Sequence, residues 1–274
     1  MNRTRPNGYD ALYEAFDSPL MQQLRHEAYG EDIGQHSWVT ADELRSDIER
    51  LALTTSSRLL DVGCGPCGPL VFAVRSTGCT GTGIDVSRSA LVSGSARARA
   101  SCVQERIRLL ERDLNLTLPF DDRSFDAVTS LDVVLHLLDR KALLNEVARV
   151  LAPGGKFLFT DAGVISGKIS EEENRCRSTY GYTQFVPPGF NEEILQAAGF
   201  RLIDQEDRTS SVLLNARGRL RAMGAHQLAL EDLGGKEAFA RQQRFLEAVV
   251  ALSERRALSR VMYFAEMVND PGHP

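Results

Sequence analysis

Apolar positions change their period along the chain. Through the first fifty residues Tyr9, Leu12, Tyr13, Phe16, Leu20 and Leu24 recur every three or four positions, the spacing of an amphipathic helix. Thr40-Ala41-Asp42-Glu43 then has the spacing of a capping box, and Leu44, Ile48 and Leu51 mark the buried face of the helix it starts. From Leu59 the pattern changes. Short apolar runs that read as strands alternate with helical stretches five times, the pattern of a doubly wound parallel sheet. The strands fall at Leu59 onward, at Thr82-Gly83-Ile84-Asp85, at Ile107 to Glu111, at Phe125 to Leu131, and after Leu151-Ala152-Pro153-Gly154-Gly155-Lys156-Phe157. Ser87 is predicted to cap the second core helix. Asp139 is predicted to cap the helix carrying Leu143, Leu144, Val147 and Val150, which Gly154-Gly155 is expected to end. After Thr160 the alternation breaks, and residues 161–189 hold no convincing strand. Asn191 to Phe200 reads as a helix ending at Gly199, followed by a strand from Arg201. A charged helical insertion then runs from about Leu213 to Arg256, ahead of a final strand at Leu258 to Phe264.

The chemistry concentrates in Leu59-Leu60-Asp61-Val62-Gly63-Cys64-Gly65-Pro66-Cys67-Gly68. A strand ends at an acidic residue and a glycine-rich turn leads into the apolar helix of Leu70 to Val74. Glycines permit positive φ and close approach to a ligand, and the helix start offers N–H donors and a positive dipole end. Gly63, Gly65 and Gly68 also satisfy the G-x-G-x-x-G spacing of dinucleotide sites. Acidic residues recur where the following strands end, at Asp85, Asp113 and Asp132. In an open parallel sheet these ends share the edge where ligands bind.

Leu59 to Gly68, Asp85, Arg112-Asp113, the stretch Leu118 to Asp126 and Leu151 to Gly155 together resemble the core of class I S-adenosylmethionine-dependent methyltransferases, closely over 51–160 and more loosely to the C-terminus. The resemblance implies a Rossmann-like, mostly parallel seven-stranded sheet with N-terminal helices and helical caps. It divides the chain into a helical lid at 1–50, a cofactor-binding core at 51–163, a cap at 164–190, and a completion of the sheet at 191–274. S-adenosylmethionine is the implied cofactor. Gly63, Cys64 and Gly65 would pass close to its methionyl and ribose parts, Asp85 and Val86 would meet the ribose, Asp113 and the Leu114 N–H the adenine, and Asp61 or the Leu131-Asp132 backbone the α-amino group. His136 and Asp161 would form a His–carboxylate pair able to deprotonate a hydroxyl, as in the antibiotic-sugar O-methyltransferases that the chain resembles; an orienting role for His136, as in relatives that methylate amines or carbon, is weighed evenly against it. Many members have glycine where Cys67 stands, so a Cβ meets a position that can require φ > 0.

Composition narrows the partners. A net charge of -5 argues against a general phosphate-backbone binder, and the 43% hydrophobic, 25% charged make-up is that of an ordinary globular chain without a membrane-spanning run or signal peptide. The chain is expected to be cytoplasmic, with a small-molecule methyl acceptor, no nucleic acid, no membrane partner, no metal and a possible homodimer. Its five cysteines read as thiols rather than a disulfide framework, Cys64-x-x-Cys67 included. Tyr180, Tyr182 and Phe185 in the cap suit an apolar, aromatic or cationic acceptor, or form the cap's own small core. Trp38 is expected to pack its helix onto the core, with cofactor contact the alternative. Two other functions fit parts of the pattern: a nicotinamide-dependent oxidoreductase, through the glycine spacing and Asp85, and a non-catalytic scaffold that retains the fold.

Overall fold

Leu59, Leu60 and Val62 are buried because β1 (Arg58–Val62) runs through the middle of a sheet covered on both faces. In a computed structural model, which describes residues 13–268, seven strands lie in the order β3-β2-β1-β4-β5-β7-β6. β2 (Thr80–Asp85), β3 (Ile107–Glu111), β4 (Phe125–Leu131) and β5 (Leu151–Ile165) are parallel to β1, as a doubly wound sheet requires. β7 (Leu258–Met267) slots antiparallel between β5 and β6 (Phe200–Asp207). Tyr9 and Leu12, part of the first helical spacing, lie outside the described residues.

Local chemistry sets the helix boundaries. α1 (Pro19–Tyr29) starts at Ser18, whose hydroxyl accepts from the Met21 N–H, with proline at the first helical position. α2 (Ala41–Leu51) opens with the complete capping box of Thr40 and Glu43. α3 (Gly68–Thr77) follows the glycine turn, Ser87 caps α4 (Arg88–Ala100), and Asp139 caps α5 (Arg140–Val150). The cap contributes α6 (Glu171–Arg177), started by a Ser170–Glu173 capping box, and α7 (Phe190–Ala197) precedes β6. Between β6 and β7 run α8 (Thr209–Ala225), α9 (Gln227–Gly234) and α10 (Lys236–Glu254).

Two expectations fail around β5. Gly154-Gly155 does not end α5, which stops at Val150 with Leu151 already extended. The two glycines belong to β5, where Gly154 takes φ 75° and the register against β4 slips between Phe125 and Ala127. β5 also continues through Asp161 to Ile165, where the pattern predicts no strand, because its far end pairs with Ser259 and Leu258 of β7 and Val164 bridges to Val186 of the cap. A polar or glycine-bearing run becomes strand here because neighbours on both sides supply the backbone partners.

One buried ion cluster ties distant parts of the chain together. Arg260 of β7 is fully buried; its Nε donates to Asp132 Oδ1 at 2.8 Å and its Nη1 to Glu43 Oε2 at 2.9 Å. Arg208 likewise reaches Asp47 of α2, both buried. Removing the arginine leaves largely buried carboxylates without their countercharge. Arg260→Leu should therefore cost about 3–5 kcal/mol of stability, read as a lower urea midpoint with little change in slope.

Candidate functional site

The carboxyl ends of β1 to β4 open on one cavity of about 880 Å³. Its lining includes Asp61, Gly63, Cys64, Gly65, Asp85, Val86, Asp113, Leu114, Leu131, Asp132 and His136, so these expected site residues share one space. Asp161 is not among them.

The glycine turn is fixed by its neighbours. The Gly63 and Cys64 N–H groups donate to the Ile84 carbonyl at 2.8 and 3.0 Å. Gly63 has φ 75°, and a Cβ there would stand 2.5 Å from Val133. The Asp85 carboxylate braces the turn from β2: Oδ2 accepts from the Gly65 N–H and Oδ1 from the Ser87 N–H, both at 2.8 Å. Cys67 does occupy a left-handed conformation, φ 60° and ψ 18°, the region that favours glycine. Its side chain is accommodated because Gly94 of α4 faces it: a Cβ on Gly94 would lie 2.4 Å from the Cys67 Sγ. The same sulfur stands 3.5 Å from the Cys64 Sγ and 3.4 Å from the Gly65 carbonyl oxygen.

The carboxylates differ in their surroundings. Asp61 is buried and accepts a hydrogen bond from the Thr129 hydroxyl at 2.9 Å; burial, with the Asp85 charge nearby, pushes its carboxyl up to about 7. Asp113 Oδ1 accepts from the Asn115 N–H and side-chain amide, both at 2.9 Å, forming a turn. Asp132, at φ 61°, accepts from the Trp38 N–H at 2.8 Å, from the Thr160 hydroxyl and from Arg260, so its side chain is structural.

The expected His–carboxylate pair is not formed. Asp161 is fully buried, with Oδ2 held by Arg140 and by the Asn191 amide at 2.8 Å, and Oδ1 by the Gly163 N–H. No hydrogen bond joins it to His136. The physical reason is that Asp161 sits inside β5 rather than past its end, and Arg140 supplies the charge that a buried carboxylate requires. His136 Nδ1 lies 3.0 Å from the Tyr182 carbonyl oxygen. A carbonyl only accepts, so Nδ1 carries the proton and the neutral ring has its lone pair on Nε2. Burial lowers the His136 pKa.

Past His136 the cavity is lined by the connector ahead of α2 and by the cap helices. Tyr180 and Tyr182 line it, whereas Phe185 packs beside the small cluster of Leu252, Ala257 and Leu258. Trp38 lines it as well as packing, stacked on Phe245 of α10. Several lining residues carried no sequence signal: His36, pushed down to about 3 by burial and by Arg219 and Arg25 nearby, Arg219, Gln242 and Phe245. His36 sits in a loop without periodicity, and Arg219 falls among Arg217 and Arg221 in an insertion marked in sequence only by its many charges.

A parallel sheet read at its carboxyl ends by a glycine turn and a row of carboxylates defines a Rossmann-like protein with its ligand site at the strand edge. A family model described as a methyltransferase domain matches residues 60–159. The O-methyltransferase rstn1 of Aspergillus nomiae is 30% identical over 72% of this chain and 90% of its own length. The methyltransferase GfsG of Streptomyces halstedii is 35% identical over 45% of this chain and 44% of its own. Among solved structures, the (4+2) cyclase SpnF is similar at 25% identity, with a TM-score of 0.74 over 96% of this chain and 97% of that one. The chain belongs to the class I S-adenosylmethionine-dependent methyltransferases. It spans about half the length of the first curated relatives it matches, between 42% and 60%.

The Cys67–Gly94 contact predicts strong coupling. Gly94→Ala should destabilise by about 1–3 kcal/mol through overpacking, and most of that loss should vanish in a Cys67→Gly background. A double-mutant cycle in urea checks this; equal costs in both backgrounds would refute the contact.

Proposed function

We propose that the chain transfers a methyl group from S-adenosylmethionine to an O, N or C atom of a small molecule. The observation that carries this reading is Asp61. A buried carboxylate on the wall of a ligand cavity, with a neutral hydroxyl as its donor, suits a cationic group, and the α-amino group of the cofactor is one. Asp85, oriented by two backbone donors at the edge of the cavity, is assigned to the ribose hydroxyls. Asp113, the Leu114 N–H, Val86 and the backbone at Leu131-Asp132 complete the cofactor side, and Gly63, Cys64 and Gly65 form its floor. A natural-product acceptor is supported by likeness to a 27-O-demethylrifamycin SV methyltransferase of Amycolatopsis mediterranei. The nicotinamide reading loses support at Gly68, whose missing side chain makes room for the Ile33 and Gly34 carbonyls, 2.3 Å from a Cβ there. The reading includes a cytoplasmic setting and a homodimer through the helices after β6, where Leu214, Leu228 and Leu233 are exposed. Among the described residues no helix is long and apolar enough to cross a membrane.

When bound, the cofactor would supply an electrophilic methyl on a sulfonium, and the acceptor that takes it would give up a proton. The protein's part is to orient, exclude water and receive that proton. His136, held neutral by burial, is the group we assign to the proton. Asp161 acts on it only at a distance: with Arg140 it holds the Gln184 carbonyl, and the Gln184 N–H donates to the Leu135 carbonyl at 2.7 Å, fixing the segment that bears Tyr182 against His136. Of the lid expected at 1–50, Tyr13, Ile33 and Gly34 stand against the glycine turn.

Two measurements test this. Titration calorimetry should find S-adenosylmethionine and its demethylated product binding and NADH not. Because the bound cofactor requires ionised Asp61, affinity should fall as pH drops through about 7, by about tenfold per unit at most, and Asp61→Asn should flatten the profile. His136→Ala should lower turnover about 100-fold or more with cofactor affinity unchanged; unaltered turnover removes His136 from the chemistry.

A further inference from the structure

The cavity wall opposite the cofactor's strand ends is a continuous stack. The Arg219 guanidinium lies 4.5 Å above the Trp38 ring, Trp38 stacks on Phe245 with centroids 6.4 Å apart and planes 20° apart, and the Arg177 guanidinium lies 5.3 Å from Phe245. All four line the cavity, and Tyr180 meets Phe245 edge-on at 5.2 Å. The wall thus has an apolar aromatic middle and a guanidinium at each end.

Among the described residues, the cavity's guanidiniums are Arg112, among the carboxylates at the end of β3, and Arg177 and Arg219 on the aromatic wall. The cavity's described carboxylates, Asp61, Asp85, Glu111, Asp113 and Asp132, belong to the ends of β1 to β4 and the loops after them, and Asp132 is already paired with Arg260. Arg219 has no carboxylate partner among the described residues. It donates through Nε to the Tyr29 hydroxyl and through Nη2 to the His36 carbonyl at 2.8 Å, contacts that hold the fork still without cancelling its charge. With Nε engaged and Nη2 shared between the His36 and Ser37 carbonyls, at 2.8 and 3.3 Å, Nη1 is the nitrogen of Arg219 whose donors are left for an oxyanion. The field is felt nearby: Arg219 is among the groups that keep His36 uncharged.

We propose that the acceptor is an aromatic anion: a flat ring seated against Trp38 and Phe245, bearing a carboxylate bound by Arg219. This rests on the methyltransferase reading above and decides among the acceptor classes it leaves open, since a cationic amine would enter a positively charged half-cavity.

The test uses the full-length protein saturated with S-adenosylhomocysteine and three ligands that share one 4-hydroxyphenyl ring: 4-hydroxyphenylacetate, its amide, and tyramine. Calorimetry should give the acid at least a tenfold tighter affinity than the amide, with no detectable tyramine binding. Arg219→Gln should bring the acid down to the level of the amide and leave S-adenosylhomocysteine binding unchanged. The proposal is overturned by tyramine or the amide binding as tightly as the acid, by none of the three binding, or by Arg219→Gln weakening acid and amide alike, the mark of a merely structural residue. The wild-type series decides the matter even if Arg219→Gln fails to fold. Failure of S-adenosylhomocysteine itself to bind is a separate result, which removes the methyltransferase reading and this proposal with it.

Discussion

The carboxylate of Asp132 holds together parts of the chain that sequence keeps far apart. It accepts from the Trp38 N–H, from the Thr160 hydroxyl and from Arg260, joining the connector before α2 and the strands β5 and β7 to the loop after β4. Every one of those partners is buried, so the bonds act in a medium where an unmatched group would be costly. The cavity inherits its shape from this junction. Trp38 can line the acceptor side only because its backbone is anchored at Asp132 on one side and, through its carbonyl, at Asn215 of α8 on the other.

What could be read from the chain alone was the part built from local chemistry. The Thr40–Glu43 box and the Ser87 and Asp139 caps are short-range devices, each satisfied within a few residues of its own position, and the glycine turn and the acidic strand ends are recognisable as short local motifs even though their partners lie farther along the chain. They were enough to give the sheet and the cofactor side of the cavity. The acceptor side was not legible, because Trp38, Arg177, Arg219 and Phe245 come from four separate segments and meet only through tertiary packing. Arg219 reads as solvent-facing charge until the His36 carbonyl and the Tyr29 hydroxyl are placed against it. The misreadings near β5 have the same origin. Gly154 and Asp161 look like a helix end and a strand end, yet β4 pairs with β5 on either side of Gly154 and the antiparallel β7 supplies the partners that carry the strand past Asp161.

Cys67 shows how a departure from a family's pattern is absorbed. A side chain in left-handed backbone costs about 1–2 kcal/mol, and a thiol there needs space against α4. The chain meets the second demand with Gly94, whose lack of a side chain leaves room for the sulfur. Read singly, Cys67 suggests a damaged loop, and Gly94 a weak point inside a helix. Read together they form one packing unit beneath the turn.

On the proposed reaction the strand-end carboxylates would face a cofactor bearing an ammonium and a sulfonium, and burial, with the Asp85 charge nearby, raises the Asp61 carboxyl to about 7. A nucleophile approaching a sulfonium reacts better as it gains negative charge, and the guanidiniums on the far wall favour that ionised form without themselves taking up a proton. On the proposed reading the protein divides its labour by position: acidic groups at strand ends would hold the donor, arginines beside aromatic rings the acceptor, and a neutral histidine between them would take the proton.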